Sequence, residues 1–314
     1  MNILRLLYHK TTLGNIILQK VIDGVIFFND YFVSDKSYIK KQFRNRMGFE
    51  LNLRNPKSLN EKINWLKLYY RTPLHTQCAD KYEVRSYIKN KIGEEYLVPL
   101  YFRTESAGDI VALNLPNEPF VIKTNHDSGG VVVVKDKSGL DWELVRNQLK
   151  SRLSRNYYRR GKEWQYRDIK PCIIVEKLLS GSNGSLPFDY KLHCFNGKVN
   201  MIQVDIGRFS DNHCRNWYNT DWKREPYKWS SKKGDKYTDP SIHEVEKPRT
   251  LHKMIELSEL IARDFPYVRV DWYDVDGQLY FGEITFHHDG GYRPILPREW
   301  DYKLGELLIL PNVD

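Results

Sequence analysis

A predicted hairpin near the end of the chain carries two carboxylates, Asp271 and Glu283, that could hold a metal ion. On both sides of Asp276-Gly277, apolar and polar residues alternate, which is typical of paired β-strands. A two-residue loop would put the two carboxylates on opposite faces of the sheet. We predict a three-residue loop, Val275-Asp276-Gly277, which places Asp271 opposite Phe281 and diagonal to Glu283 on one face. The two carboxylates are then about 7–8 Å apart, a separation that one hard cation can close.

The chemistry of this face suits magnesium. Asp271, Glu283 and the hydroxyl of Thr285 offer oxygen ligands, and Mg²⁺ prefers oxygen and keeps positions open for water and phosphate. Arg269 lies on the same face, where a guanidinium can pair with the carboxylates or bind a phosphoryl or carboxylate group. From these residues alone, a hairpin whose acidic face is simply in water is an equal alternative.

Two further stretches suggest phosphate and ribose binding. Residues 119–134 have the pattern strand, glycine-bearing polar loop, strand, so loop amides and Lys123 could surround phosphate oxygens. The loop matches neither GxxxxGK[ST] nor GxGxxG, and an ordinary hairpin is the alternative. Glu176 interrupts a buried strand over 172–179, where it could accept ribose hydroxyls or form a salt bridge with Lys177.

The remaining elements are predicted from local signals. Ser58 and Glu61 form a capping box that begins a helix over 58–70. Further elements are predicted as helices over 80–92 and 251–264, with Asp80 as an N-cap, and as strands over 189–195 and 199–205 joined by the turn Asn196-Gly197. Residues 1–45 are predicted to form a helical arm that docks on the protein or lies on an anionic membrane.

Composition limits the partners. The chain has 314 residues, 41% hydrophobic residues and a net charge of +9. Such a charge fits a nucleotide, an acidic saccharide, a membrane surface or nucleic acid, and does not choose among them. The four cysteines show no CxxC pairing, which indicates reduced thiols of a cytosolic protein. His287 and His288 are adjacent on a strand and point to opposite faces, which argues against zinc.

The order of these pieces resembles the ATP-grasp superfamily. More narrowly, the segments NEKINWLKLYY, ADKYEVR, FVIKTNHDSGG, VEKLL, FDYKLHCFNGKV and VRVDWYDVDGQLYFGEITF resemble the TupA-like ATP-grasp proteins of bacterial cell-surface polysaccharide loci. The likeness extends from about Asn55 to Pro311. It implies an α+β ATP-grasp fold that holds the nucleotide between two α/β lobes. The implied division is a helical arm (1–45), an N-terminal lobe (46–116), a small subdomain with the phosphate loop (117–180) and a large subdomain with the metal-binding hairpin (181–314).

The resemblance also implies roles for individual residues. The expected contacts with ATP are Lys81, Lys123, the loop residues His126, Ser128, Gly129 and Gly130, and the hinge Glu176, Lys177 and Leu178. The expected ligands of Mg²⁺ are Asp271, Glu283 and Thr285, where Thr285 replaces the asparagine usual in the superfamily. Arg269 and Lys123 are expected to act on the transferring phosphoryl group. Lys191, Arg208 and Arg215 are candidates for binding an acidic substrate.

These roles imply an ATP- and Mg²⁺-dependent carboxylate–amine ligase that acts through an acyl phosphate. We expect it to join an acidic sugar or amino acid to an amine in the cytoplasm, with no nucleic-acid partner and with possible peripheral membrane contact through residues 1–45. One alternative is a sugar-nucleotide-dependent glycosyltransferase that uses Asp271-Trp-Tyr-Asp274 as its metal motif. A sugar kinase on the same fold and a non-catalytic basic adaptor are further alternatives, and the oligomeric state is left open.

Overall fold

The computed structural model describes residues 24, 32–182, 184–207, 212–233 and 236–312. Most of the predicted arm therefore lies outside the described residues. Its last part belongs to helix α1 (Asp35–Met47), which begins after the N-cap Ser34 and ends at Gly48 in the left-handed conformation. This helix packs through Ile39 and Phe43 onto the body of the protein.

The remaining helices and strands are these. The helices are α2 (Leu59–Tyr69), α3 (Pro73–Ala79), α4 (Val84–Lys91), α5 (Trp142–Leu153), α6 (Tyr158–Gly161), α7 (Leu251–Ala262) and α8 (Glu299–Leu307). The strands are β1 (Leu100–Thr104), β2 (Phe120–Thr124), β3 (Val131–Val134), β4 (Ile173–Lys177), β5 (Asp189–Phe195), β6 (Lys198–Ile206), β7 (Cys214–Tyr218), β8 (Lys228–Trp229), β9 (Lys232–Lys233), β10 (Lys236–Tyr237), β11 (Tyr267–Val275), β12 (Gln278–Thr285) and β13 (Ile295–Leu296).

The larger sheet has the antiparallel order β12-β11-β5-β6-β7. The predicted strand 189–195 is confirmed as β5, and the predicted turn Asn196-Gly197 joins it to β6 with φ angles of 50° and 82°. One face of this sheet forms the largest hydrophobic core together with α4 and α7. The other face carries polar side chains beside the cleft, and elsewhere Phe195, Met201, Trp217 and Tyr267 form a second hydrophobic core with α2 and α8.

The hairpin β11–β12 corrects the predicted loop. Val275 pairs with Gln278, so the loop has two residues, Asp276 and Gly277, with φ angles of 51° and 93°. Trp272, not Asp271, lies opposite Phe281. A β-bulge between Val270 and Trp272 then shifts the register by one residue, and it returns Asp271 and Glu283 to one face. The predicted three-residue loop was wrong, but Asp271 and Glu283 lie on one face of the hairpin as predicted.

The smaller sheet has the antiparallel order β1-β4-β2-β3 and packs against α5. The glycine-bearing loop, residues 125–130, joins β2 to β3 as predicted. β1 pairs with β4. The sheet therefore begins at Leu100, before the predicted domain boundary at residue 117.

Two predicted helices had different outcomes. The capping box of Ser58 and Glu61 is present and begins α2 as predicted. The predicted helix 80–92 is shorter, because α3 ends at Ala79 and α4 begins only at Val84. Asp80 Oδ1 accepts the amides of Tyr82 and Glu83 and caps the turn between the two helices instead. In the described ranges, no helix is long and apolar enough to cross a membrane.

Candidate active site

A polar cleft of about 500 Å³ lies against the polar face of the larger sheet. The sheet contributes Lys191, Arg269 and Glu283 to its floor, and the loop between β2 and β3 contributes Asp127 and Ser128 to its wall. Other lining residues come from α1, α6 and the segment after β12; they include Tyr38, Arg46, Arg160, Glu163, His288, Asp289 and Tyr292. The cleft is therefore built where the two sheets and the end of the arm meet.

Arg269 is the centre of the polar network on the cleft floor. Its Nε and Nη2 donate to Asp271 Oδ1 and Oδ2 at 2.6 and 2.7 Å, and Nη2 also donates to Glu283 Oε1 at 2.7 Å. Nη1 lies 2.8 Å from His288 Nδ1. Because a guanidinium only donates, that imidazole nitrogen must accept. Arg269 thus joins two of the three predicted metal ligands, Asp271 and Glu283, in one cluster.

Lys191 supplies a second cation to the same cluster. It lies directly opposite Asp271 on β5, and its Nζ is 2.6 Å from Asp271 Oδ2 and 2.5 Å from Asp189 Oδ2. Burial acts to raise the pKa of Asp271, but Arg269 and Lys191 outweigh it and hold that pKa at about 2. Burial acts to lower the pKa of Arg269, but Asp271 and Glu283 outweigh it and raise that pKa. Asp271 and Arg269 are therefore both ionised at neutral pH.

The side chains of this cluster offer the oxygen ligands that a hard divalent cation prefers. Asp271 and Glu283 offer carboxylate oxygens, and Thr285 Oγ1 is 3.4 Å from Glu283 Oε1. The Glu283 side chain is 42% exposed to the cleft, whereas both oxygens of Asp271 are held by Arg269 and Lys191. In the described part of the chain, no group of three or more His, Cys, Asp or Glu residues could hold a metal. A bound metal would therefore share Asp271 with these cations and find its most accessible ligand in Glu283.

A smaller cavity adjoins the cleft and holds the predicted nucleotide residues. Lys81, Val84 and Gly282 line both spaces, while Lys123 and Glu176 line only the smaller one. The apolar lining of the smaller cavity comes from Val84, Leu97, Val98 and Phe281. The two spaces thus meet beside the bulge in β11–β12. At that bulge, a Cβ on Gly282 would lie 3.1 Å from the carbonyl oxygen of Asp271.

Glu176 is bound by two cations in the smaller cavity. Lys123 Nζ lies 2.8 Å from Glu176 Oε2, and Arg85 Nη1 lies 3.0 Å from Glu176 Oε1. The amides of the predicted hinge are also used, since Lys177 donates to Pro99 O at 3.0 Å and Leu178 to Pro119 O at 3.1 Å. Of the predicted nucleotide residues, Lys81, Lys123 and Glu176 therefore line one cavity, but they are paired with one another or with the backbone.

The predicted phosphate loop is anchored to α5. Arg152 Nη1 lies 2.5 Å from Asp127 Oδ2, and its Nη2 donates to Gly129 O at 3.1 Å. Lys81 Nζ donates to the carbonyl oxygen of Asp127 and is drawn to the loop in this way. A Cβ on Gly130 would lie 2.5 Å from Arg152 Nη1, so a side chain there would displace the guanidinium that anchors the loop.

Among the predicted loop residues, Ser128 lines the cleft and His126 does not. The His126 ring is buried and lies 3.2 Å from Asn125 Oδ1 and 3.1 Å from the carbonyl oxygen of Arg155. Burial lowers the pKa of His126, while the charge of Asp127 and the carbonyl groups of Arg152 and Arg155 act in the opposite direction. His126 therefore anchors the loop, which differs from the predicted contact with ATP.

The three predicted substrate residues have different positions. Lys191 lies on the cleft floor, where it pairs with Asp271 and Asp189. Arg215 lines the cleft, with Nε donating to Asp205 Oδ1 at 2.9 Å and Nη1 to Ser231 Oγ at 2.8 Å. Arg208 lies outside the described residues.

Several functional candidates were missed by the sequence analysis. Arg85 follows Lys81 by four residues, a spacing that could have indicated a shared face. Asp189 lies two residues before the predicted Lys191 on β5, and the ion pair of Lys191 with Asp189 and Asp271 brings it into the same cluster. No sequence signal identified Glu163 or Asp289, because the segments that carry them are irregular.

A family model, TupA-like ATPgrasp, matches residues 61–309 of this chain. The chain belongs to the TupA-like ATP-grasp family. This membership confirms the predicted resemblance and the α+β ATP-grasp fold. ATP-grasp proteins use ATP with Mg²⁺, which confirms the expected cofactors of the family.

Solved structures with a similar fold include ligases of amino acids. D-alanine–D-alanine ligase from Bacillus anthracis has 20% sequence identity and a TM-score of 0.36, over 67% of this chain and 57% of that one. D-alanine–D-alanine ligase from Helicobacter pylori has 15% identity and a TM-score of 0.43, over 82% and 68%. L-amino acid ligase from Bacillus licheniformis has 15% identity and a TM-score of 0.41, over 83% and 55%. The chain thus spans little more than half of the Bacillus enzymes, and no curated protein matches its sequence.

Proposed function

We propose that this chain is an ATP-dependent carboxylate–amine ligase. The observation that carries the proposal is the cluster of Arg269, Asp271, Glu283 and Lys191 at the junction of the two cavities. Such a cluster can neutralise phosphate oxygens on one side and a reacting carboxylate on the other. In the first step the substrate carboxylate attacks the γ-phosphorus of ATP, which gives an acyl phosphate and ADP. In the second step an amine attacks the acyl carbon and displaces phosphate, which gives the amide and releases a proton.

The smaller cavity, which has a volume of about 20 Å³, marks the proposed nucleotide site and must widen to admit a base. Its apolar lining suits a base, and its cations Lys81, Arg85 and Lys123 suit phosphates and ribose-bound oxygens. Nucleotide binding would exchange the ion pairs of Glu176 for contacts with the ligand. Burial lowers the pKa of Lys81, while Glu283 and Asp127 act in the opposite direction.

Asp271 and Glu283 are the proposed metal ligands, with Thr285 beside them. A bound Mg²⁺ would supply charge neutralisation of the phosphate oxygens. Arg269 contacts both carboxylates and is placed to move one N–H to the transferring phosphoryl group or to the oxyanion of the second step. Lys191 keeps Asp271 ionised and adds positive charge at the same point.

Positioning and electrostatics are sufficient for this chemistry without a protein nucleophile. The cleft-lining thiol of Cys78 is unsuitable as one, because burial raises its pKa far above neutral pH. The glycosyltransferase alternative is also weakened, since Asp274 is not free to join Asp271 in a metal motif. Asp274 Oδ1 accepts the Gly277 amide at 2.8 Å, and Thr250 donates to its other oxygen.

The finer proposal is that the carboxylate substrate is an acidic sugar or amino acid of bacterial surface-polysaccharide synthesis. Its support is the family membership together with three arginines that line the cleft, namely Arg46, Arg160 and Arg215. We further propose that the two sheets belong to the two lobes that hold the nucleotide. A sugar kinase on the same fold is the second candidate, because the same cluster could activate a hydroxyl.

The test uses hydroxylamine, which traps acyl phosphates as hydroxamates. The purified protein is incubated with Mg·ATP, hydroxylamine and a panel of uronic acids, amino acids and dicarboxylic acids. A ligase forms a hydroxamate together with equal ADP for its own carboxylate, and Asp271→Asn forms neither. ADP release with a sugar that yields a phosphate ester and no hydroxamate would instead establish a kinase.

A further inference from the structure

Two carboxylates in the cleft, Glu163 and Asp289, are not part of the cluster that Arg269, Lys191, Asp271 and Glu283 form. Both line the cleft beside the proposed reaction centre. Buried or half-buried carboxylates normally have a cation close to them. These two have less cationic charge than the carboxylates of the floor, which Arg269 and Lys191 neutralise.

Glu163 has no cation within ion-pair distance among the described residues apart from His287. His287 Nδ1 lies 3.6 Å from Glu163 Oε2 and 3.2 Å from Gln165 Nε2. Because the amide nitrogen of Gln165 only donates, His287 Nδ1 accepts from it. Gln165 Nε2 also donates to Glu163 Oε2 at 3.3 Å. Burial acts to raise the pKa of Glu163, but the contacts with His287 and Gln165 and the charge of Lys67 lower it, so the carboxylate is ionised.

Asp289 shares its nearest cation. Arg215 Nη1 is 3.6 Å from Asp289 Oδ2, but the same guanidinium is bound through Nε to Asp205 at 2.9 Å. His288 Nε2 lies 3.7 Å from Asp289, and burial lowers its pKa so that it contributes no charge. Ser231 Oγ donates to Oδ2 at 2.5 Å, while Oδ1 accepts no hydrogen bond from any described residue. One oxygen of Asp289 is thus available to a ligand.

Two buried acceptor oxygens near these carboxylates also lack partners. The hydroxyl of Tyr292, whose side chain is 4% exposed and lines the cleft, has no hydrogen-bond partner in the described part of the protein. The same is true of Gln165 Oε1, which is on the amide that contacts Glu163. Unpaired buried polar atoms are costly, so each one needs a reason. Of the two, only Tyr292 lines the cleft, so a ligand there that donates hydrogen bonds would satisfy its hydroxyl together with the two carboxylates.

The backbone that carries Asp289 is held firmly in place. Asp289 has a left-handed φ of 47°. From α2, Lys67 Nζ donates to Gly290 O at 2.6 Å and Asn64 Nδ2 donates to Gly291 O at 2.8 Å. Strained backbone that its surroundings enforce is common at binding sites. The carboxylate is therefore preorganised beside the cleft.

We propose that Glu163, Asp289 and the hydroxyl of Tyr292 form a subsite for a primary ammonium group. An ammonium carries one positive charge and three N–H donors and accepts no hydrogen bond, which matches two under-neutralised carboxylates and an unpaired hydroxyl. This inference rests on the proposed function, in which it assigns the amine substrate to this end of the cleft. The amine therefore enters as a cation, and it gives up one proton to Glu163 or Asp289 before its lone pair attacks the acyl carbon.

The test measures binding of a small cation without any turnover. The probe is 2-fluoroethylammonium, followed by ¹⁹F NMR with the protein and Mg·ADP, and 2-fluoroethanol is its uncharged counterpart. The wild-type protein is expected to shift and broaden the ammonium signal and to leave the alcohol signal unchanged. Asp289→Asn and Glu163→Gln remove one charge each with little change in volume, and each is expected to weaken probe binding at least tenfold.

Glu256→Gln is the matched control, because this carboxylate lies on the exposed side of α7 and pairs only with Lys253. It should bind the probe as the wild type does. Binding of Mg·ADP by the same samples reports on the nucleotide site and on folding, so a failure of the proposed function is seen separately. Equal responses to cation and alcohol in the wild type, or unchanged cation binding in both site variants, would overturn the ammonium subsite. If a site variant fails to fold, the comparison of the two probes on the wild type still decides.

Discussion

Lys123 Nζ and Glu176 Oε2 lie 2.8 Å apart on the neighbouring strands β2 and β4, at the centre of the proposed nucleotide site. We propose that both groups bind the nucleotide, yet here they form an ion pair with each other. The ammonium must leave Glu176, at least in part, to reach a phosphate. The pair thus keeps two charged groups satisfied in the absence of the ligand.

The first prediction concerns Lys123. Lys123→Met should weaken Mg·ATP binding about 10- to 100-fold, because hydrogen bonds to charged groups contribute about 1.5–3 kcal/mol. Fluorescence titration with a labelled ATP analogue would measure the change. Lys135→Met, at an exposed position just after β3, is the control and should bind normally. Equal affinities of both variants would remove Lys123 from the site.

The second prediction concerns the contribution of the Asp271 ion pairs to the stability of the protein. Asp271→Asn leaves Arg269 and Lys191, both buried, without their main partner. We expect the free energy of unfolding to fall by about 3–5 kcal/mol, measured by urea denaturation. Asp276→Asn in the turn of the same hairpin should change it by less than about 1 kcal/mol, since asparagine also tolerates its left-handed φ. A stability loss that is the same in both variants would contradict the cluster.

The third prediction concerns pH and Lys67. Burial lowers the pKa of this lysine to about 8, below its unfolded value near 10.5. Between these values the unfolded chain binds more protons than the folded one, so raising the pH stabilises the fold. The cost of burying the charge is fully present below pH 8 and is relieved as the pH rises to 10.5, by at most about 1.4 kcal/mol per pH unit.

Lys67→Met should remove this pH-dependent gain. The measurement is urea denaturation of both proteins from pH 7 to 10.5, and the difference in their unfolding free energies is the quantity of interest. Other titrating groups cancel in that difference. A difference that does not vary with pH would show that Lys67 titrates normally.

The fourth prediction concerns the phosphate loop. In Gly130→Ala the added methyl group would displace Arg152 from Asp127 and Gly129. We expect a loss of about 1–3 kcal/mol of stability and faster proteolysis within the loop. Gly139→Ala is the control, because a Cβ there meets no atom within 4 Å. Similar proteolysis of the two variants would show that Arg152 does not hold the loop.

The sequence predicted the parts of the site that depend on local signals. The alternation in β11 and β12, the strand 189–195 and the turn Asn196-Gly197 were all readable from residue type. The two-residue loop Asp276-Gly277 was also readable, but the bulge that compensates for it was not. That bulge depends on Gly282, whose missing side chain lets the backbone of Asp271 approach.

Contacts between distant segments could not be predicted. The ion pair between Lys191 and Asp271 depends on the pairing of two strands, and the two residues are 80 positions apart in the sequence. Glu163 and Asp289 line the cleft because α1, α2 and the segments 156–168 and 286–294 pack together there. Resemblance to the family supplied the ATP contacts, but the pairing of Lys123 with Glu176 and the burial of His126 required the structure.

The most direct test of the account is a calorimetric titration of Mg·ATP into the wild-type protein and into Asp271→Asn, beside a titration with a sugar nucleotide. We predict micromolar Mg²⁺-dependent binding of ATP by the wild type, its loss in the variant, and no comparable binding of the sugar nucleotide. Absence of ATP binding together with tight binding of the sugar nucleotide would contradict the proposed ligase and favour the glycosyltransferase.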